Sequence, residues 1–131
     1  MVRLSPSLSC GRLYPYRSLK NHGVRVAGAS DSPVAPALPL LGIRDAILRK
    51  TGSGADIGPE EKLGVEDAIG LYASEAAWFS FDEAHLGTLE EGKLADLVAL
   101  DRDISRIPPE QISDTQVEMT VVGGKVRSQK S

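Results

Sequence analysis

Val24-Arg25-Val26-Ala27-Gly28-Ala29-Ser30-Asp31-Ser32-Pro33-Val34 is the stretch on which the reading of this 131-residue chain turns. A short apolar run rich in valine ends abruptly in Ser-Asp, and a proline-rich loop follows. That is the pattern of a buried parallel strand delivering one carboxylate to the loop end of a sheet or barrel. A second signature lies downstream, Gly87-Thr88-Leu89-Glu90-Glu91-Gly92-Lys93-Leu94-Ala95-Asp96-Leu97-Val98-Ala99-Leu100-Asp101.

Outward from these two stretches, periodicity supplies the elements. Tyr16 to His22 reads as the end of a helix stopped by Gly23. Val24 to Ala29 reads as a short buried strand, and Ser32 to Leu40, with Pro33, Pro36 and Pro39, as an extended loop. Gly42 to Lys50 is a predicted helix with Arg49 and Lys50 in its last turn, where cations suit the dipole. Thr51 to Gly58 is a Gly-rich connection. Val65, Ala68, Ile69, Tyr72, Ala73 and Ala76 share one helical face, so a helix is predicted from Val65 to about Ser80. A further turn near Ala76 to Phe81 follows or continues it. Leu97 to Leu100 is a strand, and Val117, Met119 and Val121 alternate with Glu118 and Thr120 as a strand with one buried face. Gly123-Gly124 is a hairpin turn leading to a partner strand at Lys125 to Arg127. Pro108-Pro109-Glu110-Gln111-Ile112 is a short helical turn.

Composition excludes several classes. Net charge is −3, so no strong field invites nucleic acid or an anionic membrane. No run is apolar for long enough to be a membrane span or a secretory core. Residues 1–30 hold five basic and no acidic residues. They could be read as a transit peptide, but from Tyr14 onward a helix and a strand explain them better. The cytoplasm is the default expectation. Cys10 is the only cysteine, so no internal disulfide forms.

The two signatures, in this order and at this separation, resemble the C-terminal part of the metal-dependent amidohydrolase superfamily. The branch resembled includes N-substituted formamide deformylases. The resemblance runs from Tyr14-Pro15-Tyr16-Arg17-Ser18-Leu19 to Val117-Glu118-Met119-Thr120-Val121-Val122-Gly123-Gly124-Lys125-Val126. It implies an α/β fold, the C-terminal fragment of a (β/α)8 TIM-barrel followed by part of a small β-sandwich domain. Residues 12–85 are then the last strand and helices of the barrel, and 86–128 part of a composite β-domain. Residues 1–11 are an unassigned extension and 129–131 a tail.

The resemblance implies that Asp31 contacts a divalent metal, expected as zinc, and shuttles the proton of a metal-activated water to the leaving nitrogen. Taken without the resemblance, Asp31 reads as a loop cap. Ser30, Ser32 and Pro33 belong to the expected substrate loop; Ser30 could assist Asp31 by a hydrogen bond, although a serine before a loop is more often structural. A catalytic zinc needs about three protein ligands. The family's His-x-His pair has no counterpart here, so no metal is expected on this chain alone. His22 reads as a surface residue at a helix end, and His85 lies outside any ligand motif. Lys93 and Asp96 read as structural, and Tyr72 and Trp78 as core. Asp101 and Asp103 straddle a turn without making a calcium loop. Two positions depart from the family pattern. Glu75 stands where Asn is usual, and Ile104 where Pro is usual.

Three functions are therefore open: part of a hydrolase of small amides, a non-catalytic binding or structural module, or a piece complementing a separate chain. Missing parallel neighbours would expose strand edges, so the isolated chain is expected to be oligomeric, aggregated or only partly ordered.

Overall fold

A computed structural model describes residues 13–130. The extension at residues 1–11, with Cys10, lies outside the described residues, as do Arg12 and Ser131. Helix α1, Tyr16–Asn21, ends as predicted. His22 is its last cap, Gly23 takes φ +75°, and Val24 N–H returns to the Leu19 carbonyl while Gly23 N–H returns to that of Lys20. This pair of bonds satisfies the terminal carbonyls with glycine at the left-handed position.

Val24 to Ala29 is not a strand, which corrects the reading of a buried parallel strand. The segment is extended, but no strand lies beside it among the described residues, and Val24 and Arg25 are exposed. A parallel strand needs neighbours for its ladder and both faces. Two backbone bonds tie this segment to the helices, Val24 N–H to the Leu19 carbonyl and Gly28 N–H to the Leu71 carbonyl, each at 2.9 Å.

Helix α2, Pro39–Leu48, starts three residues before the predicted Gly42, because Pro39 at its first turn needs no N–H partner. It stops at Arg49, which is left-handed (φ 54°) and buried rather than a solvated helix-end cation. A short 3-10 turn at Pro59–Glu61 precedes helix α3, Val65–Tyr72. The predicted long helix breaks at Ala73, and α4 covers Ser74–Phe79. Gly87 seats against that break. A Cβ there would lie 3.0 Å from Ser74 Cα and 2.8 Å from Ala77 Cβ, and φ is +91°. Only glycine suits both the conformation and the approach.

Strands β1 (Leu97–Leu100), β2 (Val117–Val122) and β3 (Lys125–Gln129) form an antiparallel sheet in that order. The β2–β3 turn is Gly123-Gly124, both with positive φ. The one-faced burial predicted for β2 is not found: Val117 is exposed, and Glu118 to Val121 are all half-buried. No strand residue is fully buried, because no second layer covers the sheet among the described residues.

The core lies elsewhere. Ile43 and Ala46 of α2, Leu63, and Ala68 and Leu71 of α3 pack with Ile104 and Ile112. Ile112, on a 3-10 turn at Pro109–Asp114, is 1% exposed. Ile104, the departure from the usual Pro, thus has a packing role. No described helix is long and apolar enough to cross a membrane.

Candidate active site

The segment carrying Asp31 is held from one side. Beyond Gly23, Arg25 reaches α4, its Nε 2.7 Å and Nη2 3.1 Å from the two Glu75 carboxylate oxygens. The same guanidinium lies 4.6 Å from the Trp78 ring centroid. Gly28 then rests against Tyr72, where a Cβ would sit 2.7 Å from ring carbons. Tyr72 also abuts Gly42 of α2, so one phenol joins the segment, α2 and α3. Burial first, then the neighbouring Tyr16 and Asp45, raises the Tyr72 pKa above its ordinary value, so the ring stays neutral.

At the end of the segment Asp31 adopts φ 55°. Aspartate tolerates this left-handed region better than most residues. The turn closes through Val34 N–H to the Asp31 carbonyl at 2.8 Å. Ser32 N–H donates to Ser30 Oγ at 3.3 Å, so Ser30 supplies the side-chain cap and does not bond Asp31. The Asp31 carboxylate has no hydrogen-bond partner among the described residues. Asp31, Ser32 and Pro33 are exposed and Ser30 is half-buried.

Two concavities lie nearby, and none of these four residues lines either. A cleft of about 380 Å³ separates α1 and Val24–Val26 from α3 and α4, with Leu63 and Leu71 among its apolar lining. The Lys20–Asp67 and Arg25–Glu75 ion pairs both span it. An open, mainly apolar groove of about 760 Å³ runs from Tyr72 and Ala76 to Leu89, Val98 and Val121.

The donor set does not fit a metal centre. Among the described residues no three His, Cys, Asp or Glu side chains come together. His22 Nδ1 lies 2.7 Å from the Ser18 carbonyl at the end of α1, and His85 sits on an exposed turn. The residues present therefore bring no further ligand to Asp31.

Residues of the second signature serve the fold. Asp96 accepts from Gly123 N–H at 2.6 Å, fixing the β2–β3 turn, and Lys93 reaches Thr88 Oγ1 at 2.6 Å. Asp101 bonds Arg102 first and also Gln116 N–H, and both lower its pKa. Asp103 is held low by Ser105.

Sequence reasoning missed two clusters. One is Arg25, Glu75 and Trp78. The other joins α1 to the first 3-10 turn: buried Glu61 accepts from Ser18 Oγ and from Ser18 N–H at 2.8 Å. Those bonds, led by the hydroxyl, hold the Glu61 carboxyl below its ordinary pKa against the cost of burial. Buried Arg49 adds a nearby positive charge and donates to the carbonyls of Leu13 and Gly58. A glycine inside an apolar run, as at Gly28, was the one available signal of close packing.

Comparison with known proteins agrees with these signatures. The profile of the amidohydrolase family matches residues 3–127. YtcJ of Bacillus subtilis (strain 168), an amidohydrolase by name, is 35% identical over 90% of this chain and 23% of its own. The N-substituted formamide deformylase of Arthrobacter pascens is 33% identical over 92% of this chain and 22% of its own. Protein LONG AFTER FAR-RED 3 of Arabidopsis thaliana is 36% identical over 86% and 19% respectively. The chain thus spans about a fifth of the length of these relatives. No solved structure matches it. With a family profile along nearly its whole length and relatives above 30% identity, this chain belongs to the amidohydrolase family.

Proposed function

We propose that this chain is a segment of a hydrolase acting on non-peptide carbon–nitrogen bonds, and that Asp31 is its reacting carboxylate. The observation that carries the reading is the presentation of Asp31. A carboxylate stands at the end of an extended segment, exposed and without a hydrogen bond among the described residues. A carboxylate so placed can accept a proton from water attacking an amide carbonyl and return it to the leaving nitrogen. In this reading residues 12–85 add the last strand and helices to a (β/α)8 barrel, and 86–128 contribute to a composite β-domain. Val24–Ala29 becomes a strand once neighbours flank it. The substrate class is a small N-formyl or similar amide, in line with the name of the formamide deformylase relative. A divalent metal, expected as zinc, fits the family, while its ligands would come from outside the described residues.

A second reading, a non-catalytic module or a piece complementing another chain, is favoured by one observation: Asp31 lines neither concavity. A panel of small N-formyl and N-acyl amines, given to the native polypeptide containing these residues, separates the two. Equimolar release of amine and carboxylic acid is expected. Absence of C–N cleavage across the panel would leave the module reading.

A further inference from the structure

We propose that the cleft between α1 and α3 is a binding site for a small primary alkylamine in its ammonium form. Three features meet there: a helical glycine facing open space, an apolar lining, and a carboxylate left over once the ion pairs are made.

Gly70 lies inside α3, where glycine suits the helix less well than alanine. Gly28, Gly42 and Gly87 have packing reasons to be glycine, since Tyr72 or the break at Ala73 presses on each. Gly70 has none. A Cβ there would meet only Ser74 Oγ, at 3.5 Å, an ordinary contact. The missing side chain instead keeps the cleft open. At about 380 Å³ the space is of the size that small ligands fill. Leu63 and Leu71, both buried, and Val26, packed against the core, give it an apolar lining that can take an alkyl chain out of water.

Charge decides the sign of the ligand. Lys20 and Arg25 line the cleft together with Glu66, Asp67 and Glu75. Lys20 pairs with Asp67 and Arg25 with Glu75, so both cations are matched. Glu66 has no ion pair or hydrogen bond among the described residues. It stands four positions before Gly70, on the same face of α3. An ammonium group on Glu66 with its chain over Gly70 uses both features, whereas an anion would meet a surplus carboxylate. The cleft lies at the start of the segment, seven residues before Asp31, so it is a second site. Flanking strands in a barrel would lie beside Val24–Ala29, whereas the cleft lies between that segment and the helices, so the two are compatible. Amines are also what the hydrolysis proposed above releases, but binding here does not depend on that activity.

Isothermal titration of the full chain with n-pentylamine hydrochloride tests the site, with sodium pentanoate and 1-pentanol as matched probes. One amine per chain is expected, with the other two at least about fivefold weaker. Glu66→Gln is expected to weaken the amine about fivefold and to leave pentanol unchanged. Gly70→Leu fills the cleft and is expected to abolish binding. Gly70→Ala serves if Gly70→Leu does not fold. It is expected to raise the melting temperature while weakening the amine about threefold or more. Pentanol or pentanoate binding as tightly as the amine would overturn the proposal. So would absence of amine binding, or an affinity unchanged in Glu66→Gln or in the glycine variants. A lower melting temperature in Gly70→Ala would show that the glycine serves packing, and would overturn it too. Asp31→Asn is expected to bind the amine as wild type does, so the reading of Asp31 stands or falls separately.

Discussion

Tyr72 lays its phenol against the backbone of both Gly28 and Gly42, and this reverses an ordinary expectation at Gly42. Glycine inside a helix costs about 1 kcal/mol relative to alanine, so Gly42→Ala in α2 should stabilise on propensity alone. A Cβ there would meet Tyr72 Cζ at 2.7 Å, within a ring already packed on the core. Overpacking of this kind costs about 1–3 kcal/mol. Gly42→Ala is therefore expected to lower stability in a denaturant titration, and a gain would contradict the packing. Glu61 yields a pH dependence. Its folded pKa lies below the ordinary 4.5, so its contribution is complete above that value and is lost as pH falls through the folded one. Melting temperature measured from pH 7 to 3 should fall less steeply in Glu61→Gln, from a lower starting point. Parallel curves would refute the link. Tyr72 was legible as core, but its contact with Gly42 and the pairing of Glu61 with Ser18 were not. Arg49 shows why: at a helix end a cation reads as solvated, and only the fold of Thr51–Gly58 over it reveals its burial.

Among elements, those fixed by local chemistry matched the sequence reading, as did the strand Leu97–Leu100, whereas the strand at Val24–Ala29 and the unbroken helix past Ala73 did not. The Gly23 stop, the Gly123-Gly124 turn and the turn after Pro108 each depend on a few adjacent residues. The strand at Val24–Ala29 depends on neighbours the described residues lack, and the break at Ala73 on Gly87, fourteen positions away. Of the candidate site, the Asp31 turn was legible as a motif, while the anchoring by Arg25 and Glu75, fifty residues apart, was not. The turn at Pro109–Asp114 is also a core element, since it sets Ile112 against the α2–α3 cluster. Ile112→Ala is expected to cost about 2–5 kcal/mol, the range for emptying a buried site. Urea unfolding followed by circular dichroism measures it, and a loss below about 1 kcal/mol would mean that the turn does not close the core.

For the whole molecule, the sheet decides how the chain behaves on its own. Among the described residues β1 and β3 are both edges, and Leu89, Leu94, Val98 and Val126 are each more than half exposed. Edge strands without guarding charges invite pairing with other chains. Lys125 and Arg127 guard β3, but Leu97-Val98-Ala99-Leu100 carries no charge. The isolated chain is expected to self-associate with rising concentration in sedimentation velocity, and Val98→Lys to reduce this. A 14.0 kDa monomer at all concentrations would contradict it.

The role of Asp31 is read most directly from kcat of Asp31→Asn beside wild type on an amide that the native polypeptide hydrolyses. Asparagine keeps the shape of the side chain and removes its basicity. The account predicts a kcat lower by about 10²–10⁴-fold, the range for losing a positioned proton carrier, with KM nearly unchanged. A kcat within about twofold of wild type would show that the proton travels by another group.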